Sequence, residues 1–376
     1  MANVLKIHWS EVEKHPHINS WQLRTLGAVM RCRTAAMGGH IDACTSCAQV
    51  RISYNSCRNR HCPKCQGKQR EKWIQQRQRD LLPVKYFHLV FTLPSELNIL
   101  AMHQPKIVYD SLFEAAWQTL DTFGKDHRNL GAKTGMVSIL HTWGQELTLH
   151  PHLHCIVPGG GITKQGKWRM ARGKDKYLFC VKAMSIVFRA KYVQKIKEKI
   201  PDIDKALINS LFKKKWVVYA KQAFGNADAV IEYLGRYTHK IAISNHRIKD
   251  VEANGRVTFS YKDYRKNGAE MLQEMTLEGM EFIRRFALHI LPKGFVRIRH
   301  YGILGSSSKK ISIPAIREQL PALNLKIQEV RTLEVYNPLM CPCCKTKTMV
   351  TLEILPKRGP PDYKRNKVLD IKKKAL

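Results

Sequence analysis

Acidic residues are scarce in this 376-residue chain, which has 30 aspartates and glutamates against 64 lysines and arginines. The formal net charge is +34 at pH 7, and the basic excess runs along most of the chain. So large a charge destabilises a compact protein by self-repulsion unless a polyanion neutralises it. The composition therefore predicts DNA or RNA as the partner, although an anionic membrane surface could use the same charge.

Long apolar runs are also missing, since no stretch approaches the roughly 20 uninterrupted apolar residues of a transmembrane helix. Residues 1–20 mix charges and histidines among their apolar residues and lack the core of a signal peptide. No internal repeat is present. These absences predict a cytoplasmic protein that does not span a membrane.

Cysteine, by contrast, is plentiful, with eleven residues. In a reducing compartment, cysteines in CxxC pairs indicate metal sites before disulfides. Two such pairs lie close together in the sequence, with Cys57 and His61 between them. We expect all four thiolates to bind one structural zinc ion in a tetrahedral site, namely Cys44, Cys47, Cys62 and Cys65.

Basic residues flank this predicted zinc site, and the aromatic residues Tyr54 and Trp73 are interleaved among them. A small module that is stabilised by a metal ion and has such a surface is typical of nucleic-acid-binding proteins. We expect direct DNA contacts from Arg58, Arg60 and Lys64.

A further CxxC pair, Cys341 and Cys344, lies near the C-terminus within the sequence CPCC. It is half of a metal site by spacing, and no second pair lies nearby in the sequence. The extra cysteine, Cys343, leaves open which thiols would bind. A possible second zinc therefore stays an open prediction. The Lys-rich segment that follows, residues 357–376, has the composition of a disordered tail.

The densest group of histidines is His150, His152 and His154, in a stretch that favours a strand and runs into three glycines. Alternate side chains of a strand share a face, so neighbours in this trio lie roughly 6.6 Å apart and the outer two about 13 Å apart. One ion with bonds near 2.1 Å can take an adjacent pair but hardly all three. At least one further ligand must come from elsewhere.

Residues 135–143 predict a strand that pairs with the histidine strand as a hairpin. That pairing would bring His141, Gln145 or Glu146 near the histidines. Apolar and aromatic patterns predict the other elements: strands at 86–93, 241–244 and 256–261, and helices at 21–33, 106–123, 182–199 and 277–291.

Tyr233 and Tyr237 stand at i and i+4 of a further predicted helix, so their hydroxyls share one face. Lys240 adds a cation about one turn later. A tyrosine pair at this spacing usually serves packing. Beside a metal site in a basic protein, however, a tyrosine can attack a phosphate that a divalent ion polarises.

Taken together, these motifs resemble the two-tyrosine HUH transposases of rolling-circle insertion sequences. The resemblance covers most of the chain and rests on the Cys-rich N-terminus, HTWGQ at 141–145, HPHLHCIVPGGG at 150–161, YLGRYTHKIAISN at 233–245, RRFALHILPKGFVRIRHYGIL at 284–304, and CPCC.

The resemblance implies roles for particular residues. His152 and His154 are expected to bind the catalytic ion, Mg²⁺ or Mn²⁺, because the middle position of such a motif is bulky and apolar, as Leu153 is and Pro151 is not. Gln145 is the first choice for the third ligand, with Glu146 and His141 as alternatives. The resemblance implies that the nucleophiles are Tyr233 and Tyr237; we add Lys240 as a catalytic candidate.

The implied fold is α+β: a central antiparallel sheet flanked by helices, with the histidine strand in the middle, behind a small zinc module. We expect a zinc-binding, DNA-gripping domain at 1–82, a catalytic domain at 83–305, a C-terminal extension with CPCC at 306–356 and a basic disordered tail at 357–376. Further expected DNA contacts are Arg236, Arg297 and Arg299.

The expected function is a transposase that nicks and rejoins single-stranded DNA at the ends of a mobile element through a 5′-phosphotyrosine intermediate. A replication initiator or relaxase would use the same chemistry on another substrate. The contrasting alternative is a zinc-dependent nucleic-acid-binding protein without catalysis, in which the tyrosines stack on bases.

Overall fold

The computed structural model describes residues 1–65, 81–171, 178–221, 240–320 and 337–357. The helices in these ranges are α1 (Ala2–Ile7), α2 (Trp9–Lys14), α3 (Ser20–Arg31), α4 (Asn98–His103), α5 (Pro105–Lys125), α6 (Val181–Lys199), α7 (Lys205–Lys213), α8 (Gly279–Ala287) and α9 (Lys309–Gln319). Among these described helices, none is both long and apolar enough to span a bilayer.

The strands are β1 (Gly39–Cys44), β2 (Val50–Tyr54), β3 (Tyr86–Thr92), β4 (Gly135–Trp143), β5 (Leu149–Pro158), β6 (Gly160–Ile162), β7 (Trp168–Met170), β8 (Val218–Lys221), β9 (Ile248–Val251), β10 (Val257–Lys262), β11 (Leu272–Leu277), β12 (Ile298–Gly302) and β13 (Met349–Leu355).

A five-stranded antiparallel sheet, in the order β12-β4-β5-β3-β8, forms the centre of the protein. The histidine strand β5 is its middle strand, and β4 and β5 pair as the predicted hairpin. The fold class is therefore confirmed as a mixed α/β arrangement around a central antiparallel sheet.

The two faces of this sheet differ because alternate residues of each strand point to opposite sides. Leu89, Phe91, Leu153 and Val157 point to one face and join the main hydrophobic core with residues of α5 and α6. On the opposite face, Ile156 lies in a smaller core with residues of α9. Helices thus cover both faces, and the histidines of β5 lie on the side of the smaller core.

Two of the five strands predicted for the central sheet do not belong to it. Residues 241–244 form no strand; Ala242 and Ile243 are buried, so this short apolar run is a core-packed connection. Residues 256–261 do form a strand, β10, but it belongs to a separate sheet with β9 and β11. The edge strands of the central sheet are instead β8, which pairs with β3, and β12, which pairs with β4.

This second sheet shares a core with the N-terminal helices. Leu5 of α1 and Leu26 of α3 are fully buried in the same cluster as Phe259 of β10 and Phe282 of α8. Residues from the start of the chain thus fold together with residues far beyond the predicted boundary near residue 82.

A third sheet joins the two ends of the described chain. β1 lies between β2 and β13 and is antiparallel to both. The C-terminal extension therefore completes a sheet whose other two strands come from the N-terminal segment.

Candidate active site and metal centres

Three histidines converge on the central sheet. The register of the hairpin pairs His141 of β4 directly with His152 of β5, and His154 follows two residues later on the same face. One ring nitrogen from each residue lies within 4.8 Å of the others. The strand geometry thus brings together two histidines predicted as ligands and one of the alternatives for the third.

Hydrogen bonds fix the orientation of the two histidines on β5. Nδ1 of His152 donates to the carbonyl oxygen of His150 at 2.7 Å, and Nδ1 of His154 lies 3.0 Å from Nε2 of the buried His88. Burial lowers the pKa of His152 to about 4 and the pKa of His154 well below its usual value. Both imidazoles are therefore neutral near pH 7, as metal ligands must be.

The donor set fits one divalent ion. Bonds of about 2.1 Å to three imidazoles require nitrogens no more than about 4.2 Å apart, so a small closure of the cluster suffices. Ligating histidines commonly engage their second ring nitrogen with a carbonyl or another polar group. His152 and His154 already have such partners.

Gln145, the first choice for the third ligand, has another partner: its side-chain amide donates to the hydroxyl of Tyr264 at 3.2 Å. Glu146 and His150 lie outside the histidine group. The backbone carbonyls of Gln145 and Glu146 accept hydrogen bonds from Arg247 and Arg285. Those bonds tie the turn after β4 to the second sheet and α8. His141 supplies the third nitrogen of the histidine cluster, and Gln145 as a ligand stays a prediction.

The predicted nucleophiles Tyr233 and Tyr237, and Arg236 between them, lie outside the described residues. Lys240 is described, and its charge contributes to lowering the pKa of both His152 and His154. Desolvation lowers the pKa of Lys240 itself, and the neighbouring cations Arg247 and Lys262 add to this effect. The residue that follows the tyrosine segment is thus close to the histidine cluster.

The single four-cysteine site predicted from the two N-terminal CxxC pairs is wrong, because the structure places the pairs in different clusters. One cluster contains Cys32, Cys57, Cys62 and Cys65; the other contains Cys44, Cys47, Cys341 and Cys344. The first pair lies at the tip of the β1–β2 hairpin and the second beyond its base. Five strand residues rise about 17 Å, too far for one ion to bridge.

The first cluster fits zinc. Sγ of Cys65 lies 3.5 Å from Sγ of Cys32 and 3.7 Å from Sγ of Cys57. Four sulfurs at about 2.3 Å from a tetrahedral ion are about 3.8 Å apart. Cys32 and Cys57 are not in CxxC pairs, so sequence spacing missed them, although both were unpaired cysteines in a chain rich in metal motifs.

The predicted DNA-contacting residues divide into two groups. Arg58 and Lys64 are exposed and stay predictions, although Nζ of Lys64 also donates to the carbonyl oxygen of Cys32 at 3.3 Å. Arg60 donates to the carbonyls of Phe295 and Pro292, so that side chain serves internal bonds.

Two more predicted contacts also make bonds within the protein. Arg297 is only 7% exposed and donates to the carbonyl of Lys240 at 3.2 Å. Arg299 pairs with Asp110, and its guanidinium lies 4.2 Å from the centre of the Phe113 ring. The prediction of a surface DNA contact is wrong for Arg297, because its side chain is buried and bonded inside the protein. Arg60 and Arg299 are half-buried, and their DNA contacts stay predictions.

Residues 135–311 match the family described as "Putative transposase", and residues 4–93 match the "Transposase zinc-binding domain". "Putative transposase y4qJ" of Sinorhizobium fredii (strain NBRC 101917 / NGR234) is 40% identical over 93% of this chain and 93% of its own length. The chain belongs to this transposase family. The resemblance found from the motifs is thereby confirmed.

A second member of the transposase group, the "Transposase for insertion sequence element IS801" of Pseudomonas savastanoi pv. phaseolicola, is 26% identical over 92% of this chain and 87% of its own length. Among solved structures, the metal-bound conjugative relaxase TrwC in complex with oriT DNA aligns over 64% of this chain and 72% of its own, with 12% identity and a TM-score of 0.25. That score is too low to support any inference.

The two family matches cover different sites of this transposase. The histidine cluster lies within the transposase match, and the first cysteine cluster lies entirely within the zinc-binding match. A zinc-binding function of the N-terminal segment therefore agrees with both the family and the sulfur geometry. Cys341 and Cys344 lie outside both matches.

Proposed function

We propose that this chain is a metal-dependent transposase that nicks and rejoins single-stranded DNA at the ends of a mobile element by rolling-circle-type transposition. The observation that carries the proposal is the cluster of His141, His152 and His154 on the middle strands of the central sheet. Membership of the transposase family and the net charge of +34 support DNA as the substrate.

His141, His152 and His154 would hold the catalytic ion. Because Nδ1 is engaged in both His152 and His154, Nε2 is the nitrogen that each would offer. Three imidazoles favour Mn²⁺ over Mg²⁺, which prefers oxygen ligands. When bound, the ion polarises the scissile phosphate and stabilises the charge that develops on it.

The nucleophile would be the hydroxyl oxygen of Tyr233 or Tyr237. That oxygen loses its proton and forms a bond to phosphorus, the bond from phosphorus to the 3′ oxygen breaks, and the released 3′ oxygen takes up a proton. The DNA then carries a free 3′ hydroxyl, and its 5′ phosphate is held as a tyrosyl ester. The second tyrosine could attack a second strand before the first ester is resolved, which suits strand exchange better than hydrolysis.

Chain connectivity supports this assignment. Tyr237 precedes Lys240 by three residues, and three residues span at most about 11 Å. Lys240 is close enough to His152 and His154 to influence the pKa of both. Its ammonium group would provide positive charge beside the phosphate that reacts.

The test is a covalent-adduct assay with labelled single-stranded oligonucleotides from the ends of the element. With Mn²⁺, the wild-type protein is expected to give an adduct that survives denaturation. His152→Ala and the double variant Tyr233→Phe, Tyr237→Phe are expected to reduce it at least roughly 100-fold, because a metal ligand or both nucleophiles are lost.

His150→Ala is the matched control, since it removes an imidazole of the same strand but keeps the backbone carbonyl that orients His152. It is expected to retain the adduct. An adduct in the double tyrosine variant would refute the nucleophile assignment. DNA binding without any covalent product or metal requirement would instead favour the non-catalytic nucleic-acid-binding protein, and a strict preference for a replication or transfer origin would favour an initiator or relaxase.

A further inference from the structure

Cysteines from opposite ends of the described chain meet in the second cysteine cluster. Sγ of Cys44 lies 3.6 Å from Sγ of Cys344, and Sγ of Cys47 lies 3.6 Å from Sγ of Cys341. All four sulfurs lie within 4.8 Å of one another. These separations are close to the roughly 3.8 Å expected around one tetrahedral zinc ion.

The two CxxC turns have the same backbone geometry. The amide of Ala48 donates to the carbonyl of Cys44 at 3.0 Å, and the amide of Lys345 donates to the carbonyl of Cys341 at 3.1 Å. Ala48 and Lys345, each directly after the second cysteine of its turn, have φ values of 55° and 60°. Side-chain-bearing residues rarely adopt this left-handed region, so its repetition at equivalent positions indicates two turns shaped for a common ligand.

The C-terminal segment has almost no hydrophobic core of its own. Among residues 337–357, only Cys341 and Met349 are buried, whereas Leu352 and Ile354 are 64% and 78% exposed. Ordering the backbone of each residue costs conformational entropy, and so few buried apolar side chains do not offset that cost. Pairing of β13 with β1 helps, but a segment of this kind usually needs a metal or a covalent link to stay folded.

We propose that Cys44, Cys47, Cys341 and Cys344 bind a second structural zinc ion that clasps the C-terminal segment to the N-terminal hairpin. Hydroxyl groups support the ligands, since Oγ1 of Thr348 lies 3.0 Å from Sγ of Cys44. Oγ1 of Thr346 lies 2.9 Å from Sγ of Cys344. Such hydrogen bonds stabilise thiolates and hold them in place.

The clasp has a consequence for the basic tail. In the register of β13 and β1, Leu355 pairs with Gly39, so the chain leaves the sheet at the base of the N-terminal hairpin. The sequence that follows, residues 358–376, has seven lysines and arginines against two aspartates. The second zinc thus fixes the origin of this basic sequence at the zinc-binding module.

Metal content tests the clasp. Full-length protein in a His152→Ala background, which removes the histidine cluster as a competing site, is analysed by mass spectrometry for zinc and iron. Two zinc ions per chain are expected, and one after Cys341→Ser with Cys344→Ser. Cys343→Ser is the matched control, because this exposed cysteine lies between the two ligands but outside the cluster, and it is expected to retain two.

Two further measurements distinguish the loss of the second zinc from misfolding of the variant. Cys344→His keeps a zinc ligand and is expected to retain two ions. Limited proteolysis is expected to release the C-terminal segment from the double serine variant while leaving the rest intact. One zinc in the parent protein, iron or a disulfide in place of the second zinc, or equal loss in the Cys343 control would overturn the proposal.

Discussion

At the scale of single residues, the histidine cluster depends on the groups behind its ligands. His88 is 3% exposed on β3, and its ring stacks on His154 with 5.2 Å between ring centres. The hydrogen bond between them selects which nitrogen of His154 faces the cluster. His88 is thus a positioning residue, which acts on the metal site through His154.

His88→Ala is expected to weaken Mn²⁺ binding roughly 10- to 100-fold, the usual cost of losing a hydrogen-bond partner behind a ligand. Titration calorimetry of the full-length protein measures the affinity. His88→Gln, which can restore the hydrogen bond, should recover part of it, and His103→Ala, an exposed histidine of α4, should change nothing. Wild-type affinity in the alanine variant would show that His88 only fills space.

At the scale of elements, the length of the β1–β2 hairpin decides the pairing of the cysteines. It separates the two N-terminal CxxC pairs, so each pair forms a cluster with cysteines from other segments. Cys62 clusters with Cys32 at the end of α3, inside the core that the N-terminal helices share with α8 and β10. The first metal site therefore stabilises more than the small module expected from the sequence.

Cys62→Ser is expected to remove one zinc, to lower the thermal unfolding midpoint, and to weaken binding of single-stranded DNA measured by fluorescence anisotropy. The loss of a structural metal and a buried polar replacement both destabilise the shared core. Cys180→Ser is the control, because Cys180 is exposed and outside both clusters. Unchanged DNA affinity in a zinc-depleted Cys62 variant would show that this module does not contribute to DNA binding.

At the scale of the whole molecule, buried neutral histidines couple folding to pH. His289 is 2% exposed; its Nε2 donates to the carbonyl of Leu147 at 3.1 Å, and its Nδ1 lies 3.2 Å from the hydroxyl of Thr142. Burial lowers the pKa of His289 to about 4, below the value of about 6.5 expected in the unfolded chain. Between these values the unfolded state binds more protons than the folded state.

The free energy of unfolding is therefore expected to fall as the pH drops from about 6.5 towards 4, by up to about 1.4 kcal/mol per pH unit for this group. Chemical denaturation at several pH values measures the slope. His289→Asn should reduce it, whereas His17→Gln, at an exposed position, should not. A slope in His289→Asn equal to that of the wild type would assign the pH dependence to other groups.

The sequence by itself determined the histidine strand, its hairpin with β4 and the family. Alternation along β4 and β5 depends only on local backbone geometry, so His152 and His154 were certain to share a face once the strand formed. The same local rules predicted α3, α5 and α6 within a few residues. The expectation of transposase chemistry came from the family motifs, because single residues do not predict it.

Only the tertiary structure decided which distant residues meet. Cys44 and Cys341 lie far apart in the chain, and no spacing rule joins them; the antiparallel pairing of β1 with β13 does. Arg297 reads as a surface cation in the sequence but is buried, because β12 occupies the edge of the central sheet. Pattern and charge are local properties, whereas metal sites and buried cations depend on which segments pack together, and packing is a property of the whole chain.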